Sequence, residues 1–131
     1  MKKHVLLFAL VLLAGCAVGR HDKTLDDLRE PEYLRAERDL PLSFAQIQMA
    51  LFKHKAACGS GPEFAADPQR PSYASITQKP SPAAGLDRTI VVDLVLRLDR
   101  PVKARAYSYY AGVDKQVQRI FDAIKHPAVC G

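Results

Sequence analysis

The sequence has none of the short motifs that mark common enzyme active sites. It contains no Gly-x-Ser-x-Gly nucleophile turn, no His-Glu-x-x-His run and no glycine-rich phosphate loop. It also lacks the ~20 consecutive apolar residues that a membrane-spanning helix needs, since the apolar run that begins at Val5 and continues through Leu13 ends well short of that length. We therefore expect a non-enzymatic protein with no cofactor and no membrane-spanning helix.

The first sixteen residues have the pattern of an export leader. A short basic segment at residues 1–4 precedes the apolar run, and Leu13-Ala14-Gly15-Cys16 closes the pattern. The arrangement resembles the signal peptide and lipobox of bacterial lipoprotein precursors. This resemblance covers the leader only, and no family is indicated by residues 17–131.

The resemblance implies a location and a means of attachment. A lipoprotein precursor is exported, cut before the lipobox cysteine and acylated there, so residues 1–15 would be removed and Cys16 would carry the lipid. More than one acyl chain gives a firm membrane anchor. Ala17, rather than Asp, follows the cysteine, which in Gram-negative lipoproteins favours the outer membrane, with the protein facing the periplasm.

Charge is unevenly divided along the chain after the cysteine. Residues 20–39 hold five basic and seven acidic side chains, whereas residues 40–131 hold twelve basic and seven acidic ones. A basic domain often binds nucleic acid, but a periplasmic location excludes that partner. Anionic lipid headgroups or cell-wall polymers fit better, and the alternative is a basic surface that only faces solvent.

The mature chain divides into a lipidated tether and one small domain. Residues 16–40 are polar and charged without a sustained apolar period, which predicts a tether that lifts the domain off the bilayer. Residues 41–131 contain amphipathic segments separated by turn residues, which predicts one globular α+β domain.

The elements predicted in the domain follow the order α-β-β-β-α. Ser43 and Gln46 form a capping box that begins the first helix, and Gly59 ends it. Residues 59–71 are predicted to form a loop. The remaining elements are strands at 73–78, 89–98 and 102–111 and a helix with Asp114 as its N-cap and Pro127 after its end. We expect a two-layer domain with a three-stranded antiparallel sheet and both helices on one face.

One strand face has the composition of a binding surface. The last two strands predict a hairpin with a three-residue turn, and one face of it carries tyrosines interleaved with cations. Such side chains stack on sugars, grip anions or anchor a protein partner. This candidate binding face consists of Lys103, Arg105, Tyr107 and Tyr109, with Asp93 and Arg97 across from them. The alternative is an ordinary solvent-facing sheet, since tyrosine is common in strands.

A short repeat contains two of the three cysteines. Lys53-His54-Lys55-Ala56-Ala57-Cys58-Gly59 resembles Lys125-His126-Pro127-Ala128-Val129-Cys130-Gly131. One interpretation is a metal site with two cysteines and two histidines, although Pro127 disrupts the helical spacing of the second pair. The other is a disulfide, since Cys16 is used for lipidation and an even pair in an oxidising compartment forms a bond by default. We predict a Cys58–Cys130 disulfide and no bound metal.

These features leave three hypotheses for function. The first is a lipid-anchored accessory or scaffold component of an envelope assembly, with an envelope protein as its partner. The second is a binding module for an anionic envelope component such as lipopolysaccharide or peptidoglycan. The third and weakest is a metal-binding lipoprotein that uses the repeated segment.

Overall fold

The computed structural model describes residues 23–131, so the leader and Cys16 lie outside the described part of the chain. Within it, an antiparallel sheet is accompanied by three α-helices and two short 3-10 turns. The elements in chain order are α1 (Leu25–Leu28), β1 (Leu34–Leu40), α2 (Phe44–Cys58), β2 (Glu63–Ala66), β3 (Tyr73–Gln78), β4 (Ile90–Arg97), β5 (Arg100–Tyr107) and α3 (Asp114–Lys125).

The five strands form one sheet in the order β1-β5-β4-β3-β2. The β4–β5 hairpin lies at its centre, and every neighbouring pair is antiparallel. The predicted hairpin is confirmed, but its turn has two residues, Leu98 and Asp99, rather than three. Asp99 adopts the left-handed region with φ +54°, which aspartate tolerates better than most residues.

Helices α2 and α3 pack on one face of the sheet and bury the main core. Their apolar stripes meet the inward-facing side chains of the four strands β1, β3, β4 and β5. The largest members of this core are Leu40, Ile47, Leu51, Ile76, Ile90, Val92, Leu94, Val102, Val117, Ile120, Phe121 and Ile124. We call the opposite side of the sheet the outer face.

Helix α2 begins and ends where the sequence predicts. Ser43 Oγ accepts a hydrogen bond from the Gln46 backbone N–H at 3.1 Å, and Gln46 Oε1 accepts one from the Ser43 N–H at 2.8 Å. Gly59 takes the left-handed conformation with φ +77° and ends the helix. The capping box confirms a purely local prediction, because its partners are only three residues apart.

The predicted three-stranded sheet and the order α-β-β-β-α are wrong. The structure adds β1 and β2 at the two edges of the sheet and α1 before them. Strand β2 has four residues and lies within the segment predicted as a loop. Strand β1 carries charged side chains on both of its faces, as edge strands often do to avoid pairing with other chains, and therefore lacks the alternation of a half-buried strand.

Much of the segment predicted as a tether belongs to the domain. Helix α1 lies on the outer face, where Leu28 is fully buried against Val91 and Tyr107. Tyr33, Leu86 and Tyr109 complete this second, smaller cluster. The domain therefore includes α1 and β1, which lie before residue 41.

The C-terminal helix differs from the prediction at its first turn. Asp114 is the first helical residue rather than the N-cap, which is Val113, and Val113 has no capping side chain. The helix ends at Lys125, two residues before Pro127, as a proline predicts. The tail after it brings Cys130 to Cys58, with the two Cα atoms 5.5 Å apart, and the predicted disulfide is confirmed.

Candidate functional site

The cations of the predicted binding face are paired within the protein. Strand β1 lies beside β5, so Glu37 and Asp39 stand next to Arg105 and Lys103. Glu37 accepts hydrogen bonds from Lys103 Nζ at 2.8 Å and from Arg105 Nε at 2.9 Å. Arg97 donates to Asp39 at 2.9 Å. The missed edge strand therefore neutralises the charges on which the predicted face depends.

The tyrosines of that face are also engaged. Tyr107 is 8% exposed and lies in the cluster around Leu28. Tyr109 packs edge-on against Tyr33 with ring centroids 4.6 Å apart, and its hydroxyl donates to the Thr24 carbonyl at 3.0 Å. Desolvation raises the pKa of Tyr109, so the hydroxyl remains a donor. These contacts hold α1 on the sheet and leave little of either ring free for a ligand.

Asp93, at the centre of the outer face, is held by α1. Arg29 reaches it with two hydrogen bonds, Nε to Oδ2 at 2.8 Å and a terminal nitrogen to Oδ1 at 3.1 Å. This hydrogen-bonded pairing raises the pKa of Arg29 above its already high ordinary value. A depression of about 600 Å³ beside this pair also contains Asp67 and Arg70, which are bonded to one another at 2.9 Å. The charges there are already satisfied.

A larger groove lies on the helix side, at the end of the sheet where α2 ends and α3 begins. Its volume is about 760 Å³. The end of α2, the start of α3, the ends of β3 and β5, the start of β4 and the C-terminal tail all line it. The side chains and segments that matter for its chemistry are His54, Gln78, Arg88, Ile90, Ser108, Tyr110, Gln116, Arg119 and the disulfide.

The side chains that line the groove carry a net positive charge. Within residues 23–131, Arg88 and Arg119 line it together with the C-terminal residue Gly131, and no aspartate or glutamate side chain does. Neither guanidinium forms a hydrogen bond or ion pair within residues 23–131, whereas Arg29, Arg97 and Arg105 are each paired with a carboxylate. Because arginine presents a planar fork of donors that matches phosphate and carboxylate oxygens, this arginine groove has the chemistry of an anion-binding site.

Neutral side chains add hydrogen-bonding capacity to the arginine groove. Gln116 supplies an amide group, and Gln78 supplies another, whose Nε2 already donates to the Lys79 carbonyl at 3.1 Å. Tyr110, which is 57% exposed, supplies an aromatic ring. Ser108 is buried, and its hydroxyl already accepts the Tyr110 backbone N–H at 3.2 Å. The groove thus combines charge, amides and one aromatic surface, a set that suits an anion attached to a sugar or glycerol.

The repeated segment forms one wall of the groove. His54 Nδ1 lies 3.0 Å from the Pro127 carbonyl oxygen. Since a carbonyl only accepts, Nδ1 carries the proton in this contact. The same nitrogen lies 3.7 Å from Cys58 Sγ, and the carbon framework of the ring crowds Gly61 so closely that a Cβ there would lie 2.8 Å from His54 Cδ2. His54 therefore holds the tail and the loop together.

The metal interpretation of the repeat does not fit this arrangement. Both sulfur atoms are bonded to each other, which removes the thiolates that a zinc site needs. Within residues 23–131, no cluster of three or more histidine, cysteine, aspartate or glutamate side chains is placed to hold a metal ion.

The sequence predicts residues that form one wall of the groove, but it does not predict the arginines that give the groove its charge. His54, Cys58 and Cys130 were singled out by the repeat, and all three lie at the groove or beside it. Arg88 and Arg119 belong to segments far apart in the chain, and no local pattern distinguishes them from other exposed arginines. That neither side chain has a partner among residues 23–131 becomes visible only in the folded structure.

None of the helices in the described part is long and apolar enough to span a membrane. The chain was compared with protein-family models, with curated proteins and with solved structures, and none of them matches it.

Proposed function

We propose that this chain is a lipid-anchored protein of the bacterial outer membrane that faces the periplasm. Its leader pattern and the cysteine at position 16 support the anchor. The bonded pair Cys58–Cys130 agrees with an oxidising compartment, where disulfides persist.

We further infer that the domain is a non-enzymatic binding module for an anionic component of the envelope, such as lipopolysaccharide or peptidoglycan. The observation that carries this proposal is the arginine groove, where two arginines line a cavity and neither guanidinium has a carboxylate partner within residues 23–131. A cation left without an internal partner and beside a cavity is available to an external anion. The paired cations of the predicted hairpin face do not offer this.

The anchor is tested by labelling cells with a radioactive or clickable palmitate. The wild-type chain should incorporate label and run at the size of a chain cut before Cys16. Cys16→Ser should incorporate none and keep its leader. An unlabelled wild-type chain of full length would overturn the anchor.

The binding module is tested with the purified lipidated protein in detergent, using isolated lipopolysaccharide and isolated peptidoglycan as separate probes. A hydrogen bond to a charged group contributes about 1.5–3 kcal/mol, so Arg88→Gln with Arg119→Gln should weaken binding at least about ten-fold. Arg100→Gln is the matched control, because Arg100 is also exposed and unpaired within residues 23–131 but lies at the hairpin turn. Equal binding by the wild-type protein, the double variant and the Arg100→Gln control would exclude the groove as the binding site.

A scaffold role in an envelope assembly is the second candidate, and the hairpin turn favours it. Leu98 is 90% exposed there, and Leu96 beside it is 47% exposed. Exposed leucines at a protruding turn are suited to burial against a protein partner. If the domain docks through this turn, a stoichiometric partner should co-purify with the wild-type protein after detergent extraction and be lost with Leu98→Ser. Retention of that partner by Leu98→Ser would exclude the turn.

A further inference from the structure

The chain enters the domain at the same end as the arginine groove. Thr24 accepts the hydrogen bond from the Tyr109 hydroxyl, and Lys23 Nζ lies 4.4 Å from the centre of the Tyr109 ring. The next residue, Tyr110, lines the groove. The hairpin turn at Leu98 lies at the far end of β4, whose eight residues extend about 26 Å.

Only a short segment separates the lipidation site from this end of the domain. Seven residues lead from Cys16 to Lys23, and a fully extended segment of that length spans at most about 25 Å. A flexible tether over residues 16–40, as the sequence predicts, would let the domain lie well away from the bilayer. With α1 and β1 folded onto the sheet, a lipid on Cys16 keeps the groove end close to the membrane surface.

The charge distribution at this end favours one orientation. Asp26, Glu30 and Glu32 are exposed in and just after α1. The cations nearest them on the outer face, Arg29, Lys103 and Arg105, are each paired with a carboxylate. The arginine groove lies on the opposite side, beneath α2 and α3. An anionic membrane attracts the unpaired arginines of the groove more strongly than the paired cations of the outer face, so the domain tilts with the groove toward the lipid.

We propose that the arginine groove faces the anchoring bilayer and binds the phosphate of an anionic phospholipid headgroup in it. Arg88 and Arg119 pair with phosphate oxygens, and the amides of Gln78 and Gln116 bond the glycerol or sugar of the headgroup. The exposed ring of Tyr110 lies at the headgroup level, where tyrosine is favoured. This inference rests on the proposed anchor at Cys16 and deepens the proposed anion-binding function by naming its ligand.

Anchoring makes even a weak headgroup site effective. A tethered domain meets lipid at a high effective concentration, so the groove needs no high intrinsic affinity to be occupied. Once it is occupied, the domain has a fixed orientation. The hairpin turn with Leu98 then points away from the membrane, where it is accessible to other envelope proteins.

The orientation can be measured with a single fluorescent residue, because the chain contains no tryptophan. Two reporters are compared in the full lipidated protein, Tyr110→Trp at the groove and Leu98→Trp at the hairpin turn. Each is reconstituted into vesicles of phosphatidylcholine alone, or of phosphatidylcholine and phosphatidylglycerol in equal parts. A nitroxide on a trace lipid headgroup quenches only the reporter that lies at the surface.

We expect strong quenching of the Tyr110→Trp reporter in vesicles that contain phosphatidylglycerol, and weak quenching in phosphatidylcholine alone. The Leu98→Trp reporter should be quenched little in either. Each arginine near an anionic surface changes the equilibrium between the membrane-facing orientation and the others about five-fold. Adding Arg88→Gln and Arg119→Gln should therefore reduce the membrane-facing population about 25-fold relative to the others. Arg100→Gln, added to the same reporter, should leave the quenching unchanged.

The inference is overturned if the Tyr110→Trp reporter is quenched equally in both vesicles, if the double variant does not change its quenching, or if the Leu98→Trp reporter is quenched instead. A further measurement distinguishes an error in the proposed ligand from an error in the proposed anion-binding function. If lipopolysaccharide or peptidoglycan binding still depends on Arg88 and Arg119, the groove remains an anion-binding site whose ligand is not a phospholipid. If that binding is also independent of them, both proposals are wrong.

Discussion

Arg29 and Asp93 form a two-point ion pair between α1 and the middle strand of the sheet. The two residues are 64 positions apart in the chain, and their closest contact is 2.8 Å. Asp93 lies in β4 between Ser75 of β3 and Arg105 of β5. The pair therefore ties the segment nearest the proposed lipidation site to the centre of the domain.

Loss of this pair should cost about 1 kcal/mol of unfolding free energy. Both side chains are only partly exposed, 36% for Arg29 and 21% for Asp93, so the cost lies above that of a typical surface ion pair. Asp93→Asn and Arg29→Gln should each show it in urea titrations, and the double variant should cost less than their sum. Asp26→Asn is the control, since its carboxylate is 98% exposed and 3.6 Å from Arg29. An equal effect at Asp26 would contradict the assignment.

Truncation of Leu28 tests whether α1 belongs to the domain. Leu28 is fully buried, whereas Leu25 on the same helix is 45% exposed. Leu28→Ala should destabilise the protein by about 2–5 kcal/mol, as buried leucine truncations do, or release the segment and accelerate proteolysis at Arg29 and Arg35. Leu25→Ala should change neither quantity. If Leu28→Ala also changes neither, the packing of α1 on the outer face contributes nothing to the stability of the domain.

The sequence correctly predicts structural features that depend on residues only a few positions apart in the chain. The capping box of α2 and the strand predicted at 89–98 depend on local patterns, and both are found, as the helix Phe44–Cys58 and the strand Ile90–Arg97. Strand β1 is recognisable only from its pairing with β5. Arg38 takes an inward position in it, and its guanidinium carbon lies 5.7 Å from the centre of the Phe121 ring. An arginine at an inward position breaks the apolar alternation that marks a strand.

The candidate site was less predictable for a related reason. The sequence of one strand shows which side chains share a face, but it does not show which residues of other strands pair with them. Here Glu37 of β1 neutralises the charges of Lys103 and Arg105. The arginine groove is formed by segments spread from His54 to the C-terminal tail. Its essential property is two arginines without carboxylate partners in the described part of the chain. This property depends on how those segments meet and has no periodic signature in the sequence.

The disulfide should contribute much of the stability of the domain. It joins residues 72 positions apart, and in the chain-entropy model a loop of that length contributes about 4 kcal/mol. Cys58→Ala with Cys130→Ala should lower the free energy of unfolding by about that amount in urea titrations. The wild-type chain should show no free thiol at these positions in non-reduced mass spectrometry, and chelation with EDTA should not change its unfolding. Two free thiols, or a stability that depends on metal, would contradict the bonded pair.

Acid should weaken the domain partly through Glu37. The hydrogen bonds from Lys103 and then Arg105 lower the pKa of Glu37 below its ordinary value near 4.5. The pairing therefore contributes fully above that value and is lost as the pH falls through the lower pKa of the folded state. Glu37→Gln should be less stable than wild type at pH 7, and the difference should shrink below about pH 4.5. Urea midpoints across this range measure it. Glu30→Gln is the control, because Glu30 forms no ion pair in the described part of the chain. A difference at Glu37 that persists unchanged into acid would mean that its charge is not what stabilises the edge strand.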